Sequence, residues 1–411
     1  MTSTSATSAA PPGEGAASFD RLRYAGVFVL LFLFGTETFL VSPLLPTIAD
    51  SIKVSEAAAA SSVTAYVLVY AVFAPFLGLL SDRFGRRRTL VAGTVLFVLS
   101  NVGAAVSSDL AGLVLSRALA GLAAAAAGPA IWAHIAETAP DAVRGRALGL
   151  GMALFSCGQL IGVPLGGFLA GAAGWRSAFW ALAVGTALAV PLLLRQVPAG
   201  DPAAERPASG GAVRALLAGW GDPVLRRALL VNTVFNAANL GAFTFLGVVL
   251  VQRFDLSVQA LGLVGVLVGA GSVAGSLLGG RLGDRARAAG RHNLPLLPVW
   301  GALLALGILL TVEGPGLVVA LVGVVVWFVA SGGFVTDQQT LAGTVAPELR
   351  ATSSAWLTST MYAGTGLGAW AIGAYGDAAD STPVVGTVLA VVAAAGALLV
   401  SASLRNRQVA G

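Results

Sequence analysis

Two charged side chains stand where almost nothing else is charged. Glu37 lies in the apolar stretch 25–47 and Arg117 in the apolar stretch 110–133. A charge at the centre of a bilayer costs about 2.5–3.5 kcal/mol on insertion scales, so a charge kept there has a task or a partner. Counted from the same membrane face, Glu37 is about ten residues deep and Arg117 about eight, a difference of roughly 3 Å along a helix. They can meet across a cavity or share its field. The chemistry open to such a carboxylate is taking up and releasing a proton. Burial opposes its charge and a guanidinium supports it. Any change in hydration or pairing therefore alters its hold on H⁺, and a cationic or polar ligand can compete with that proton. The pair is the candidate proton-coupling site. The plainer alternative is a fixed ion pair that joins two helices.

Other polar residues recur at helical spacing. Asn232, Asn236 and Asn239 fall on one helix face, four and three residues apart. They suit substrate binding, or hydrogen bonds between helices. Asn239 follows Glu37 by 202 residues. Tyr66, Tyr70 and Tyr362 near mid-stretch can stack on planar or cationic ligands, and Gln159 can reach a cavity. Trp132, Trp327 and Trp356 offer the same stacking, or plain filling. Asp337 lies near the end of its apolar stretch. Enzyme chemistry finds no support. Cys157 is the lone cysteine, His134 and His292 are the two histidines, and no G-x-x-x-x-G-K-[ST] sequence occurs. These residues imply no metal, no cofactor and no direct use of ATP.

The elements that position these groups follow from hydropathy. Only 10% of the 411 residues are charged and 56% are apolar, whereas a soluble domain carries roughly 25% charge. Twelve apolar stretches reach bilayer-spanning length: 25–47, 58–80, 89–108, 110–133, 147–169, 177–195, 228–251, 258–281, 294–312, 316–336, 352–374 and 383–403. Of the 24 Lys and Arg, 20 fall in loops on one side, three on the other (Lys53, Arg176, Arg253), and Arg117 within a span. The positive-inside rule then places both termini in the cytoplasm. The formal charge of +5 is thus a topology signal and not a nucleic-acid patch.

The expected organisation is a cytoplasmic tail (1–23), a six-helix bundle (24–195), a Pro- and Gly-rich cytoplasmic linker (196–227), a second six-helix bundle (228–403) and a short tail (404–411). The halves repeat. Asp82-Arg83 after the second span answers Asp284-Arg285 after the eighth. Ala139-Pro140-Asp141 answers Ala346-Pro347-Glu348, and Gly158 and Gly162 answer Gly364 and Gly368. Internal repeats with a site at their interface are common among secondary transporters.

The sequence Gly78-Leu-Leu-Ser-Asp82-Arg83-Phe-Gly85-Arg86-Arg87 resembles the loop motif of major facilitator superfamily transporters. In that family Asp82 would face the positive N-terminus of the eleventh span. The arginines would pair with acids such as Glu137. The run Gly158-Gln-Leu-Ile-Gly162-Val-Pro164-Leu-Gly166-Gly167 resembles the motif of the drug:proton antiporter branch, with Val163 inserted before the proline. Leu115-Ser-Arg117 resembles a further motif of the superfamily, and Gly35-Thr-Glu37 resembles the first span of the antiporter branch that exports drugs, sugars or nucleosides. The resemblance implies an all-α membrane protein of twelve helices in two pseudo-symmetric bundles. It implies export of small amphiphilic or aromatic compounds against protons by a monomer in the cytoplasmic membrane. Export of one metabolite, such as a sugar, nucleoside or amino acid, is the alternative.

Overall fold

The computed structural model describes residues 21–198, 220–221, 223–288, 295–345, 350–376 and 378–409. Among these residues there are helices and no strands, as backbone in lipid requires when every N–H and C=O must be met within its own segment. The first half holds α1 (Ala25–Leu40), α2 (Leu45–Ile52), α3 (Glu56–Phe84), α4 (Arg86–Val106), α5 (Leu110–Thr138), α6 (Asp141–Ala173) and α7 (Arg176–Gln196). The second holds α8 (Pro223–Phe243), α9 (Leu246–Phe254), α10 (Val258–Ala288), α11 (Leu296–Glu313), α12 (Leu317–Val345), α13 (Arg350–Tyr375) and α14 (Ala378–Val409). The last helix runs through most of the stretch expected as a tail.

Two of the expected continuous spans are broken. Stretch 25–47 bends by 44° between α1 and α2, and stretch 228–251 by 42° between α8 and α9. In the first break, Pro43 and Pro46 stand at the starts of a 3-10 turn and of α2, where their missing N–H groups break the ladder. The second break has no proline. There the Thr244 hydroxyl bonds back to the Leu240 carbonyl, and Phe245 N–H closes a tight turn on Ala242.

Among the described residues, eight helices are long and apolar enough to cross a membrane, or ten when each bent pair counts as one span. Helices α13 and α14 have 26 and 32 residues, and α14 is apolar over Thr382–Leu398; both also carry polar residues. Those residues point inward: Ser359, Thr360, Thr365 and Thr382 are buried, while Leu367, Trp370, Val388 and Val391 are exposed. Lipid therefore meets an apolar surface on these helices too.

The two halves pack alike. Helix α1 lies on α6 as α8 lies on α13; α3 on α5 as α10 on α12; α4 on α7 as α11 on α14. Across the halves, α3 meets α13 and α6 meets α10, which are again equivalent pairs. Backbone detail repeats as well. Lys53 and Asp255, 202 residues apart, end α2 and α9 in the left-handed conformation, at φ 55° and 52°. Gly174 and Gly376 repeat a positive φ at the same interval.

Close approach between helices explains the glycine pattern. A Cβ on Gly158 would overlap the Phe32 carbonyl, and one on Gly364 would overlap the Thr233 carbonyl. The duplication thus keeps the same contact of α6 on α1 and of α13 on α8. Small residues allow backbones to approach this closely in lipid, where packing rather than hydrophobicity drives association.

Candidate functional site

Helix α1 presents Glu37 and α5 presents Arg117, both buried. An Arg117 amino group donates to Glu37 Oε1. The guanidinium also lies over the Tyr66 ring at 4.6 Å and nearer the edge of cation–π range from Phe179, at 5.7 Å. Those two rings hold the cation in place. The pairing is incomplete: Glu37 Oε2 and Arg117 Nε have no hydrogen-bond partner among the described residues.

The pair lies on the wall of a cavity between the halves. From the first half the cavity takes Glu37, Thr38, Ser42, Tyr66 and Arg117. From the second it takes Leu240, Phe243, Thr244, Tyr362 and Thr365. Val41, Val63 and Val67 complete an otherwise apolar wall. The space is small, about 30 Å³. That admits a water or two, not a drug-sized ligand. The site is closed down around its own side chains.

One end of the cavity is sealed, the end that carries Lys53, Arg176 and Arg253. There the two helix breaks cross. Ser42 Oγ donates to the Phe243 carbonyl at 2.6 Å, and a Cβ on Gly247 would sit 2.6 Å from the Ser42 carbonyl oxygen. Beside them a Cβ on Gly167 would lie 2.6 Å from the Val258 carbonyl oxygen and 2.8 Å from Gly262. Gln252 donates to Glu56 across the halves.

The predicted site residues fall into groups. Glu37 and Arg117 meet. Tyr66 and Tyr362 line the cavity, and the Tyr70 ring packs against that of Tyr362 at 4.3 Å, tilted by 44°, without lining it. Gln159 is half-buried in α6 and is not a lining residue. The three asparagines also stand away from the cavity wall. Asn239 donates to Ser331 and accepts from Trp327 Nε1, each at 2.8 Å. Asn232 donates to the Leu357 carbonyl and to Thr360, and Asn236 donates to Asn232. Asn232 and Asn239 thus bridge helices. Asn239 joins α8 to α12 as Glu37 joins α1 to α5, with neutral groups in place of charges.

Of the loop motif, Gly85 breaks the chain between α3 and α4 at φ 92°, a conformation that favours glycine. Arg86 makes a two-pronged contact with Glu137 at 2.9 and 3.2 Å. Arg87 donates to the Leu194 carbonyl at the end of α7. The side chains of Asp82 and Arg83 lie outside what the structure describes, and Gly78 falls within α3. In the second motif, Gly158 and Gly162 pack on α1 at Phe32 and Thr36, whereas Pro164 and Gly167 pack on α10. Gly166 meets the Leu40 side chain. The motif therefore ties the helix bearing Glu37 to the seam between halves. Trp300 Nε1 donates to the buried Asp337 at 2.7 Å, and neither residue lines the cavity.

Sequence reasoning missed Thr38, Ser42, Phe179, Thr244 and Thr365. A signal existed for one pair: Thr244 follows Ser42 by 202 residues, the interval of the repeat.

Comparison with known proteins agrees with this architecture. The model of the Major Facilitator Superfamily matches residues 27–369. An uncharacterized MFS-type transporter of Bacillus subtilis, YceJ, is 30% identical over 343 residues, covering 83% of this chain and 86% of its own. A chloramphenicol resistance protein of Streptomyces lividans is 31% identical over 66% of this chain and 68% of its own. Among solved structures, a bacterial homolog of the human lysosomal transporter Spinster, inward-facing and occupied, aligns with a TM-score of 0.79 at 18% identity, over 92% of this chain and 96% of its own.

Proposed function

This chain belongs to the Major Facilitator Superfamily, and we propose that it is a proton-coupled exporter of small amphiphilic or aromatic compounds, of the drug- or antibiotic-efflux type. It is a transporter and not an enzyme. The observation that carries the proposal is the buried Glu37–Arg117 pair on the wall of the cavity between the halves. A carboxylate in that place exchanges its proton with whichever side the cavity faces. Substrate and proton compete for it, so one leaves as the other binds.

The bundles 24–195 and 228–403 rock against each other about this cavity, joined by the linker 196–227. With both termini in the cytoplasm of the cell that makes it, the sealed Lys53 end faces outward. Closing contacts at Ser42–Phe243 and Gly167–Val258 then keep the substrate from returning. The Arg86–Glu137 contact marks the cytoplasmic end. The protein works as a monomer in the cytoplasmic membrane.

The energy suffices. One charge moving down 100 mV releases about 2.3 kcal/mol, and about 1.4 kcal/mol sustains each tenfold substrate gradient. A second reading, export of one specific metabolite, draws support from the hydroxyls that line the cavity.

The test is efflux into everted membrane vesicles across a compound panel. Proton-driven uptake should vanish on addition of an uncoupler. In Glu37→Gln, substrate-induced proton release should be lost even where binding persists. Full proton-coupled transport by that variant, or efflux insensitive to the uncoupler, would remove the proposal.

A further inference from the structure

Asn101 of α4 is fully buried, and only part of its amide is engaged. Its Nδ2 donates to the Phe97 carbonyl at 2.9 Å, which fixes the orientation of the amide. Its Oδ1 has no hydrogen-bond partner among the described residues. Leaving such an oxygen unmatched inside a helical bundle costs free energy. On the α5 side, a Cβ on Gly103 would stand 2.7 Å from Ser116 Oγ, and one on Gly93 would meet Ala123 and Ala127. The two helices therefore run in opposite directions, and Asn101 comes level with Arg117. On the α1 side, the Phe97 and Phe34 rings meet edge to face at 4.7 Å. Arg176 donates both to Ser51 and to the Ser107 carbonyl, so α1–α2 and α4 run toward the same end. Asn101, one turn beyond Phe97, is thus level with Glu37, about one turn beyond Phe34. Phe179 of α7, 5.7 Å from the guanidinium, closes the back of this layer. Three atoms with unmet hydrogen-bonding capacity share it: Asn101 Oδ1, Glu37 Oε2 and Arg117 Nε.

We infer that Asn101 is a positioning residue for the proton-coupling pair: its Oδ1 takes over the Arg117 guanidinium when Glu37 is protonated. The inference rests on the export reading above and names the group that lets Arg117 release the acid. With Glu37 ionised, cation and anion satisfy each other and the amide oxygen goes unmatched. When a proton forms an O–H bond on Glu37, no other covalent bond breaks, and the contact with Arg117 loses half of its charge assistance. The guanidinium keeps its charge and needs an acceptor inside the bundle. Asn101 Oδ1 is a neutral, buried acceptor at the same depth, so the transfer is a turn of the Arg117 side chain. Tyr66 from α3 and Tyr362 from α13 are the other titratable groups at this level, and α4, α6 and α7 bring no charged side chain there. Cys157 of α6 sits beside Gly158 at the level of Phe32, more than a turn away. The clamp between helices thus changes with the proton. Helix α5 holds α1 while Glu37 is ionised and α4 once it is protonated. Helix α1, which leads into the break at Pro43, is then released from α5.

The experiment titrates Glu37 in the purified full chain in lipid nanodiscs. The signal is the infrared band of its protonated carboxyl, identified as the band missing from Glu37→Gln. Asn101→Leu keeps the volume and removes the acceptor. Asn101 supports only the protonated form, so its loss should lower the pH of half-maximal band by about one unit, a tenfold loss of proton affinity. Asn101→Ala removes the same acceptor and gives the same reading should the leucine variant fail to fold. An Arg117→Leu background separates positioning from packing: there, loss of Asn101 should leave the midpoint where it was. A Glu37 band with the same midpoint in the parent and in the Asn101 variants would overturn the inference. So would an equal shift in the Arg117→Leu background. Failure of the export reading would appear elsewhere, as vesicle efflux that ignores the uncoupler.

Discussion

Arg117 reaches from α5 to one carboxylate oxygen of Glu37 on α1 and leaves the other, Oε2, without a hydrogen-bond partner among the described residues. The pair is both a clamp between helices and an incomplete one. Removing one member of a buried pair costs about 3–5 kcal/mol, because the other charge stays behind. Arg117→Leu should therefore unfold at a markedly lower temperature in detergent. Adding Glu37→Gln should recover much of that loss, since no charge is then stranded. Thermal unfolding of the two single variants and the double variant checks this. A double variant no more stable than Arg117→Leu would show that the pair does not act as a unit.

The glycines of the duplicated contact allow a matched pair of tests. A Cβ on Gly158 or on Gly364 would overlap a backbone carbonyl, of Phe32 and of Thr233 respectively, and backbone in a packed bundle cannot step aside. Overpacking of this kind typically costs about 1–3 kcal/mol. Gly158→Ala and Gly364→Ala should each lower the unfolding temperature, by similar amounts, because the contact is the same. Gly280 has nothing within 4 Å of the corresponding position. Gly280→Ala should be neutral, or stabilising by up to about 1 kcal/mol through helix propensity. Unfolding curves of the three variants, recorded side by side, decide it.

Much of this was legible in the residues. Glu37 and Arg117 stood out because a buried charge is rare, and depth along a helix placed them level. The repeat stood out because Gly158 and Gly162 recur as Gly364 and Gly368, and the structure shows why: the same carbonyls approach. The helix breaks were not legible in full. Pro43 and Pro46 mark the first, but the second rests on Thr244 bonding back to Leu240, a contact any helical threonine can make or forgo. The roles of the asparagines were also undetermined, because helical spacing fixes a face and not which neighbour it meets. Asn239 meets Trp327 and Ser331, which lie about ninety residues away in sequence.

That placement makes Asn239 a test of position against function. Its amide satisfies Trp327 Nε1 and Ser331 Oγ, and all three residues are buried. Asn239→Ala strands the indole N–H, and a buried unmet donor costs about 1–3 kcal/mol. The variant should be less stable and less abundant in membranes. Transport per molecule, and the ranking of substrates, should stay as in the parent protein. Efflux normalised to protein level is the measurement, and an altered substrate ranking would place Asn239 in the binding site after all.

Gly167 sits where α6 crosses α10 at the sealed end, with the Val258 carbonyl 2.6 Å and Gly262 2.8 Å from where a Cβ would stand. A larger side chain there opposes closure of that end more than it opposes the opened state. The equilibrium should shift toward a cavity open at the Lys53 end, and about 1.4 kcal/mol of such bias changes the population ratio tenfold. The reporter is a cysteine in place of Thr365, on the cavity wall, in a Cys157→Ser background. In whole cells, Gly167→Leu should raise its rate of reaction with a membrane-impermeant maleimide by roughly tenfold, while slowing efflux because the closed state is needed for the return step. Gly171→Ala, one turn further out, meets only the Gln259 side chain. That side chain can swing aside, so the rate there should match the parent. An unchanged rate in Gly167→Leu would mean that this contact does not hold the outer end shut.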